Sequence, residues 1–391
     1  MADRPVIIFI SAAEASGDQH AAGLIGAIRS RRADVRFVGA GGPHMAEAGC
    51  EVLLDLTKTA SMLGGPLLKL GYYWRAVRRL QRAMLEIKPA VHVPVDSPAL
   101  NWHLAATAGK LGAAVVYYIA PQVWAWAPWR VGKLARLTDR VACILPFEQE
   151  YLRGRGVNAT YVGHPLFDLL PDRPASPPDP AEAWVDGAWR VTLLPGSRPA
   201  EIRNHAPALL AAADAIRRRW KNAQCTLTAR TDQCAEAIRN SAGRRSAGLP
   251  EIAVGRTAQV LARSHFAVVA SGTVTLEAAY FGVPMVIFYR TSRLLGAVRR
   301  VAGRRAVPTR HFSLVNILAG RRIVPELMPW YGDTKKLTET VVETMNDLGY
   351  LHEMRQDMLS VVEPLRAGAG RTACENAADI IVETLEEKLQ T

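Results

Sequence analysis

Two sets of short, β-branched apolar runs alternate with helix-period segments, and a proline-rich stretch separates the sets. The first set falls at 6–10, 35–38, 91–95, 115–119 and 141–144, and the second at 191–194, 225–229, 252–254, 266–270 and 285–288. Helical patterns lie between them, for example over 21–32, 201–220 and 273–281. Near-continuous apolar strands separated by helices specify a parallel sheet covered on both faces. The segment 171–179, Pro-Asp-Arg-Pro-Ala-Ser-Pro-Pro-Asp, holds neither a helix nor a central strand. The expected fold class is therefore α/β: two Rossmann-like, doubly wound domains facing a central cleft, with a helical C-terminal tail. The expected boundaries are 1–170 for the first domain, 171–189 for a linker, 190–332 for the second domain and 333–391 for the terminal helices, packing back on the first domain or on a partner. In such folds ligands bind at the carboxyl ends of the strands.

The length of 391 residues suits two domains, each with its own core. With 49% hydrophobic and 21% charged residues the chain is a folded one, and 48 Lys+Arg against 36 Asp+Glu give a net charge of +12. No run reaches the roughly 18 apolar residues of a membrane span. The first residues, with Asp3 and Glu14 around a short apolar run, read as a first strand and not as a signal peptide. Five scattered cysteines without Cys-x-x-Cys spacing suggest neither a disulfide framework nor a zinc site, and the histidines show no metal-ligand spacing. A reducing cytoplasm is expected. The basic charge is also the footprint of nucleic-acid binding, yet no helix-turn-helix, zinc finger or RNA-binding aromatic signature accompanies it.

Four loops at predicted strand ends carry candidate chemistry. Ser11-Ala12-Ala13-Glu14-Ala15-Ser16-Gly17-Asp18 offers small residues and free amides to an anion, or is a turn capped by Ser16 or Asp18. In Val95-Asp96-Ser97-Pro98 the strand-terminal Asp96 is placed for a general base, unless it caps the next helix. Leu194-Pro195-Gly196-Ser197-Arg198 sets a guanidinium at a helix mouth, suited to a diphosphate or paired with Glu201. In Ala270-Ser271-Gly272-Thr273, amides and hydroxyls begin a helix that carries Glu277 one turn on, where its carboxylate can accept from ribose hydroxyls. Gly39-Ala40-Gly41-Gly42 lacks dinucleotide spacing and reads as a turn.

In this order the motifs resemble the lipid-A-disaccharide synthases over nearly the whole chain. The resemblance is carried by Glu14 to Asp18, Phe37-Val38-Gly39, Gly42-Pro43, Val95 to Pro98, Val123-Trp124-Ala125-Trp126, Leu145-Pro146-Phe147-Glu148, Val162-Gly163-His164, Leu194 to Arg198, Ala270 to Thr273 with Glu277, and Asn316-Ile317-Leu318-Ala319-Gly320. It implies a two-Rossmann (GT-B) glycosyltransferase that moves 2,3-diacylglucosamine from its uridine diphosphate (UDP) donor to 2,3-diacylglucosamine 1-phosphate. It further implies Asp96 as general base; Arg198, Ser271, Gly272, Thr273, Glu277 and Asn316 on the donor; and Glu14, Ser16, Gly17, Asp18 and Gln122 near the acceptor. The chain departs from the family at Met62-Leu63-Gly64-Gly65-Pro66, at Ala99 and at Ala127, all in the acceptor half. Another glycolipid or cell-wall acceptor, or an idle UDP-sugar-binding protein, therefore stays open as an alternative.

The implied reaction is an inverting displacement at the anomeric carbon, with charge accumulating on the diphosphate. No Asp-x-Asp pair occurs, so metal-independent transfer without a cofactor is expected. Asp96, with a reference pKa of about 3.9, needs burial to become an effective base. Acylated substrates imply a membrane surface, and Arg75, Arg78, Arg79 and Arg82 at helical spacing suit anionic headgroups on the inner face of the cytoplasmic membrane, or form an ordinary solvated face. The basic stretch 290–310 is a second candidate. A homo-oligomer is compatible with the helical tail.

Overall fold

A computed structural model describes residues 6–57, 66–125, 127–243, 248–290, 310–368 and 370–390, with 66–70 described by their backbone alone. The chain divides into two units, one built from 1–169 and 365–391, the other from 170–364.

The first unit runs β1 (Val6–Ser11), α1 (Ala15–Arg29), β2 (Val35–Gly41), α2 (Pro43–Glu47), β3 (Glu51–Asp55), α3 (Pro66–Ile87), β4 (Val91–Pro94), α4 (Pro98–Lys110), β5 (Ala114–Tyr118), α5 (Val131–Leu137), β6 (Arg140–Cys143), α6 (Pro146–Arg153) and β7 (Ala159–Tyr161). Its seven strands are parallel in the order β3-β2-β1-β4-β5-β6-β7. Strand order reverses between β1 and β4, where Ile8 pairs with both Phe37 and Val91, so the switch point lies at the ends of β1 and β4. Ile8, Phe9 and Ile10 are wholly buried, as a strand covered on both faces requires. Gly39 sits inside β2, where an added Cβ would stand 1.7 Å from the Ile10 carbonyl oxygen. The predicted turn at Gly39-Ala40-Gly41-Gly42 is thus strand as far as Gly41; Gly39 serves the close packing of β2 on β1, and Gly41 leaves room for the Met45 side chain.

The second unit runs α7 (Pro180–Asp186), β8 (Arg190–Leu194), α8 (Pro199–Arg219), β9 (Gln224–Ala229), α9 (Asp232–Ala242), β10 (Glu251–Val254), α10 (Thr257–Leu261), β11 (Phe266–Ala270), α11 (Val274–Tyr280), β12 (Met285–Arg290), α12 (Leu314–Ala319), β13 (Glu326–Trp330), α13 (Thr334–Met345) and α14 (Leu348–Val362). Its six parallel strands follow the order β10-β9-β8-β11-β12-β13, with the switch point between β8 and β11. Trp189, Leu193, Leu227, Phe266, Val268 and Phe288 form its core. The last helix, α15 (Ala373–Gln390), returns to the first unit and packs on α1 and β5 with Ala377, Ala378, Ile381 and Leu385 buried. Asp168 receives the Ala373 and Cys374 amides at its start (3.0 and 3.1 Å).

Three expectations need correction. The linker stops short of 180, because Asp179 caps α7 through the Ala181 amide (2.9 Å) with Pro180 at the first helical position. The terminal helices do not act together: α13 and α14 complete the second unit, and α15 alone joins the first. Strands β3, β7 and β13 lie outside the predicted runs. Of the basic stretch 290–310, residues 291–309 lie outside the described residues, as do Met62, Leu63, Gly64, Gly65 and Trp126.

Candidate active site

In the first unit the candidate base stands at the switch point, on a turn of unusual backbone. Asp96 and Ser97 both have left-handed φ values, 49° and 47°. Such conformations cost on the order of 1–3 kcal/mol each outside glycine and persist only where the surroundings impose them. Here the Asp96 carbonyl oxygen accepts from Asn101 Nδ2 (2.6 Å) and from the Tyr117 hydroxyl (2.8 Å), and the Asp96 amide donates to the Tyr118 carbonyl (3.1 Å). The Ala13 amide donates to Ser97 Oγ at 3.3 Å, tying the loop after β1 to the same turn. Beneath lies a buried relay: Ser11 Oγ donates to Asn101 Oδ1 (2.6 Å) and lies 2.9 Å from His92 Nε2. Because the Ser11 proton is spent on Asn101, His92 Nε2 carries the hydrogen of a neutral imidazole. Burial pushes that imidazole down to about 3. Ser97, not Asp96, is the N-cap of α4, and it makes no side-chain cap.

Around this turn Glu14 is exposed as the N-cap of α1, Ser16 is half-buried and Gly17 is buried. A Cβ on Gly17 would come within 3.3 Å of the Ala12 Cβ. Asp18 is a correction. It is buried, and its carboxylate accepts from the amides of Gly42 (2.8 Å), His44 (3.1 Å) and Met45 (3.1 Å). It therefore holds the start of α2, buried beneath the chain, and is not presented to an acceptor. Gln122 is exposed on the loop after β5. Two residues on, Trp124 Nε1 donates to Glu148 Oε1 (2.8 Å), while the Ile144 and Leu145 amides donate to Glu148 Oε2 (3.1 and 3.0 Å). Burial pushes the Glu148 carboxyl up to about 7 against those three bonds.

In the second unit the candidate donor residues sit on neighbouring strand ends. Arg198 is the exposed N-cap of α8, and its guanidinium lies 3.7 Å from Glu201 Oε1, so the surface pairing that the sequence left open is formed. The Ser271 amide donates to the Phe288 carbonyl (2.9 Å), which fixes the turn after β11, while Gly272 and Thr273 are exposed. No side chain caps α11; the Thr275 and Leu276 amides already donate to the Gly272 and Thr273 carbonyls (3.1 and 2.9 Å), which leaves the amides of Gly272, Thr273 and Val274 ahead of them as the donors open to a ligand among the described residues. One turn on, burial pushes the Glu277 carboxyl above its ordinary range, with Arg230 opposing the shift. Asn316 is the second correction. It is fully buried, with Oδ1 accepting from Ile323 (2.8 Å) and Val324 (3.0 Å) amides and Nδ2 donating to the Val324 carbonyl (3.0 Å). Its amide closes the chain between α12 and β13 from a fully buried position.

Sequence reasoning missed Asn101, Tyr117, Arg230 and His205. Arg230 had a signal, a cation directly after an apolar run; the other three are recognisable only from their partners. A surface groove between α8 and α9, lined by Arg203, Gln233, Glu236 and Asn240, shares no side chain with the candidate set.

On α3 the side chains of Arg75, Arg78, Arg79 and Arg82 are exposed, opposite buried Ala76, Val77, Leu80 and Met84. Among the described residues none of the four pairs with a carboxylate; Arg75 Nε donates to the Gly71 carbonyl (3.3 Å). No helix among the described residues is long and apolar enough to cross a membrane.

Solved structures share this architecture. A Listeria monocytogenes UDP-N-acetylglucosamine 2-epimerase gives a TM-score of 0.64 at 13% identity, covering 100% of this chain and 97% of that one. The UDP complex of a UDP-glucose:anthocyanidin 3-O-glucosyltransferase gives 0.63 at 11% identity over 99% and 100%. At such identities the likeness shows the fold alone, and the class it defines is the two-Rossmann, GT-B-like α/β class. The family described as lipid-A-disaccharide synthetase matches residues 8–381. A lipid-A-disaccharide synthase of Myxococcus xanthus is 36% identical over 97% of this chain and 98% of its own length, and one of Geobacter sulfurreducens 35% identical over 98% of each. The chain belongs to the lipid-A-disaccharide synthase family.

Proposed function

We propose that this protein transfers 2,3-diacylglucosamine from UDP to the 6-hydroxyl of 2,3-diacylglucosamine 1-phosphate, releasing UDP with inversion at the anomeric carbon. Family membership supports the reaction. The observation that carries the donor half is the turn into α11, where the Gly272, Thr273 and Val274 amides precede the first internal bonds, with Glu277 one turn on, Arg198 at the mouth of α8 and Arg230 just past β9. The acceptor oxygen attacks the anomeric carbon as the bond to the diphosphate breaks, the electron pair leaves with UDP, and Asp96 takes the hydroxyl proton. The α11 amides and Arg198 stabilise the charge that gathers on the leaving group, and Glu277 accepts from the ribose hydroxyls. Glu14, Ser16, Gly17 and Gln122 border the acceptor. Arg198 must leave Glu201 to reach the diphosphate, and at an exposed site that exchange costs at most about 1 kcal/mol.

The test is mass spectrometry of the products formed from the acylated donor and acceptor. A tetraacyl disaccharide 1-phosphate with UDP released is expected. UDP binding without product from this or another acylated acceptor favours the idle sugar-nucleotide-binding reading, and product from a different acceptor moves the substrate assignment.

The four exposed arginines of α3 support docking on an anionic membrane surface at the cytoplasmic face. Exposed Trp74, on the same helix, and Trp129, just before α5, add interfacial aromatics. Reversing two charges, Arg78→Glu with Arg79→Glu, is expected to weaken sedimentation with anionic vesicles about tenfold or more at low salt. Binding unchanged by both the charge reversal and the salt concentration removes this docking face.

A further inference from the structure

We infer that His205 is a positioning residue for the donor site, holding the turn after β8 and the end of β12 at a fixed separation through a neutral imidazole. The inference rests on the donor reading above. His205 lies on α8 and is 1% exposed. Its Nδ1 stands 3.0 Å from the Pro195 carbonyl oxygen and its Nε2 stands 3.2 Å from the Arg290 amide. A carbonyl only accepts and an amide only donates, so Nδ1 carries the hydrogen and Nε2 offers its lone pair. One tautomer of one protonation state satisfies both partners.

The location gives this bond its use. Strands β8 and β12 are not neighbours, because β11 runs between them. The imidazole therefore spans the end of the strand that carries Ser271, which is itself tied to β12 by its bond to the Phe288 carbonyl. Pro195 opens the turn to Arg198, and Gly196 within it adopts a φ of 108°, so the course of this turn is set where His205 grips it. The ring also packs against Phe288 and Tyr289, with centroids 5.3 and 5.0 Å away.

Protonation of Nε2 replaces the accepting lone pair by an N–H that opposes the Arg290 amide. The charged groups acting on the ring are Glu201 on its own helix, which favours the cation, and Arg290 at the end of β12, which opposes it; Arg198 and Glu201 act in turn on the neighbouring Tyr289 hydroxyl. Burial outweighs these and keeps the imidazole below its ordinary range. The link is therefore intact at neutral pH and breaks only on acidification.

Glutamine places an acceptor and a donor at about the same spacing as the two ring nitrogens and does not titrate, whereas leucine keeps the bulk and loses both bonds. UDP binding by titration calorimetry at pH 7.5, on full-length wild type, His205→Gln, His205→Leu and His205→Phe, tests the assignment. At pH 7.5 His205→Leu is expected to bind UDP about 5–30-fold more weakly and His205→Gln within about threefold of wild type. If His205→Leu does not fold, His205→Phe, which keeps a ring and loses both bonds, decides in its place. UDP binding indifferent to the loss of both bonds, or His205→Gln as weak as the apolar variants, overturns the role of His205 while leaving the donor reading standing. Absence of UDP binding by wild type overturns the donor reading and this inference with it.

Discussion

The turn at Asp96 and the turn at Ser271 occupy equivalent places, each at the switch point of a parallel sheet, yet they are built in opposite ways. Around Asp96 the main-chain groups are committed: two side chains grip its carbonyl, and two consecutive residues are held left-handed. Around Ser271 the start of α11 is left without a cap. On the proposed roles, the contrast follows from what each turn would have to meet. A base acts through one carboxylate whose direction must be set before the substrate arrives, so rigidity is stored in the backbone beneath it. A diphosphate is recognised by several donors at once, and each one satisfied internally is lost to the ligand.

The sharpest way to break this contrast is Asp96→Asn, expected to lower kcat by roughly 10²–10⁴-fold with UDP affinity unchanged. Near-normal turnover would leave the rigid turn without a catalytic purpose. Asn101→Ala removes the amide beneath Asp96, so steady-state kinetics should show kcat reduced about 10–100-fold at constant donor KM, with about 2 kcal/mol lost in denaturant unfolding. A rise in donor KM instead would mean that the two turns are not separate in function. Glu277→Gln addresses the open side, with donor KM raised about tenfold and kcat little altered; a loss confined to kcat would contradict the ribose assignment.

The remaining prediction concerns acid. His92 is held neutral, at about 3 in the fold against 6.5 for an ordinary histidine, and His164 likewise at about 3. Each has its folded value depressed, so its stabilisation is complete above about pH 6.5 and fades as pH falls toward 3, by at most about 1.4 kcal/mol per pH unit. Urea midpoints should therefore fall between pH 7 and 4.5, and His92→Gln should flatten the slope. An unchanged slope would show that His92 does not carry this dependence.

The alternation of apolar runs made both sheets legible, because strands buried on two faces have to be apolar throughout, as Ile8, Phe9 and Ile10 are. Strand β13 was not legible: Glu-Leu-Met-Pro-Trp carries a proline, tolerated because this strand lies at the sheet edge. Strand β3, five residues bracketed by Glu51 and Asp55, sits at the other unit's edge and carries equally little apolar signal. Motifs located the strand ends correctly but could not say which side chains there are already engaged. Asp18 and Asn316 are buried motif residues whose side chains bond the backbone of α2 and of the segment before β13. Asn101, three residues beyond the Pro98 that ends its motif, was not singled out although its amide makes the turn.

The return of α15 to the first unit has a consequence for biosynthesis. About two hundred residues of the second unit leave the ribosome between β7 and α15. At translation speeds of about 5–20 residues per second, α1 and β5 wait roughly 10–40 s for the helix that covers them. For that interval the nascent first unit exposes an apolar seam, a natural resting place for a chaperone.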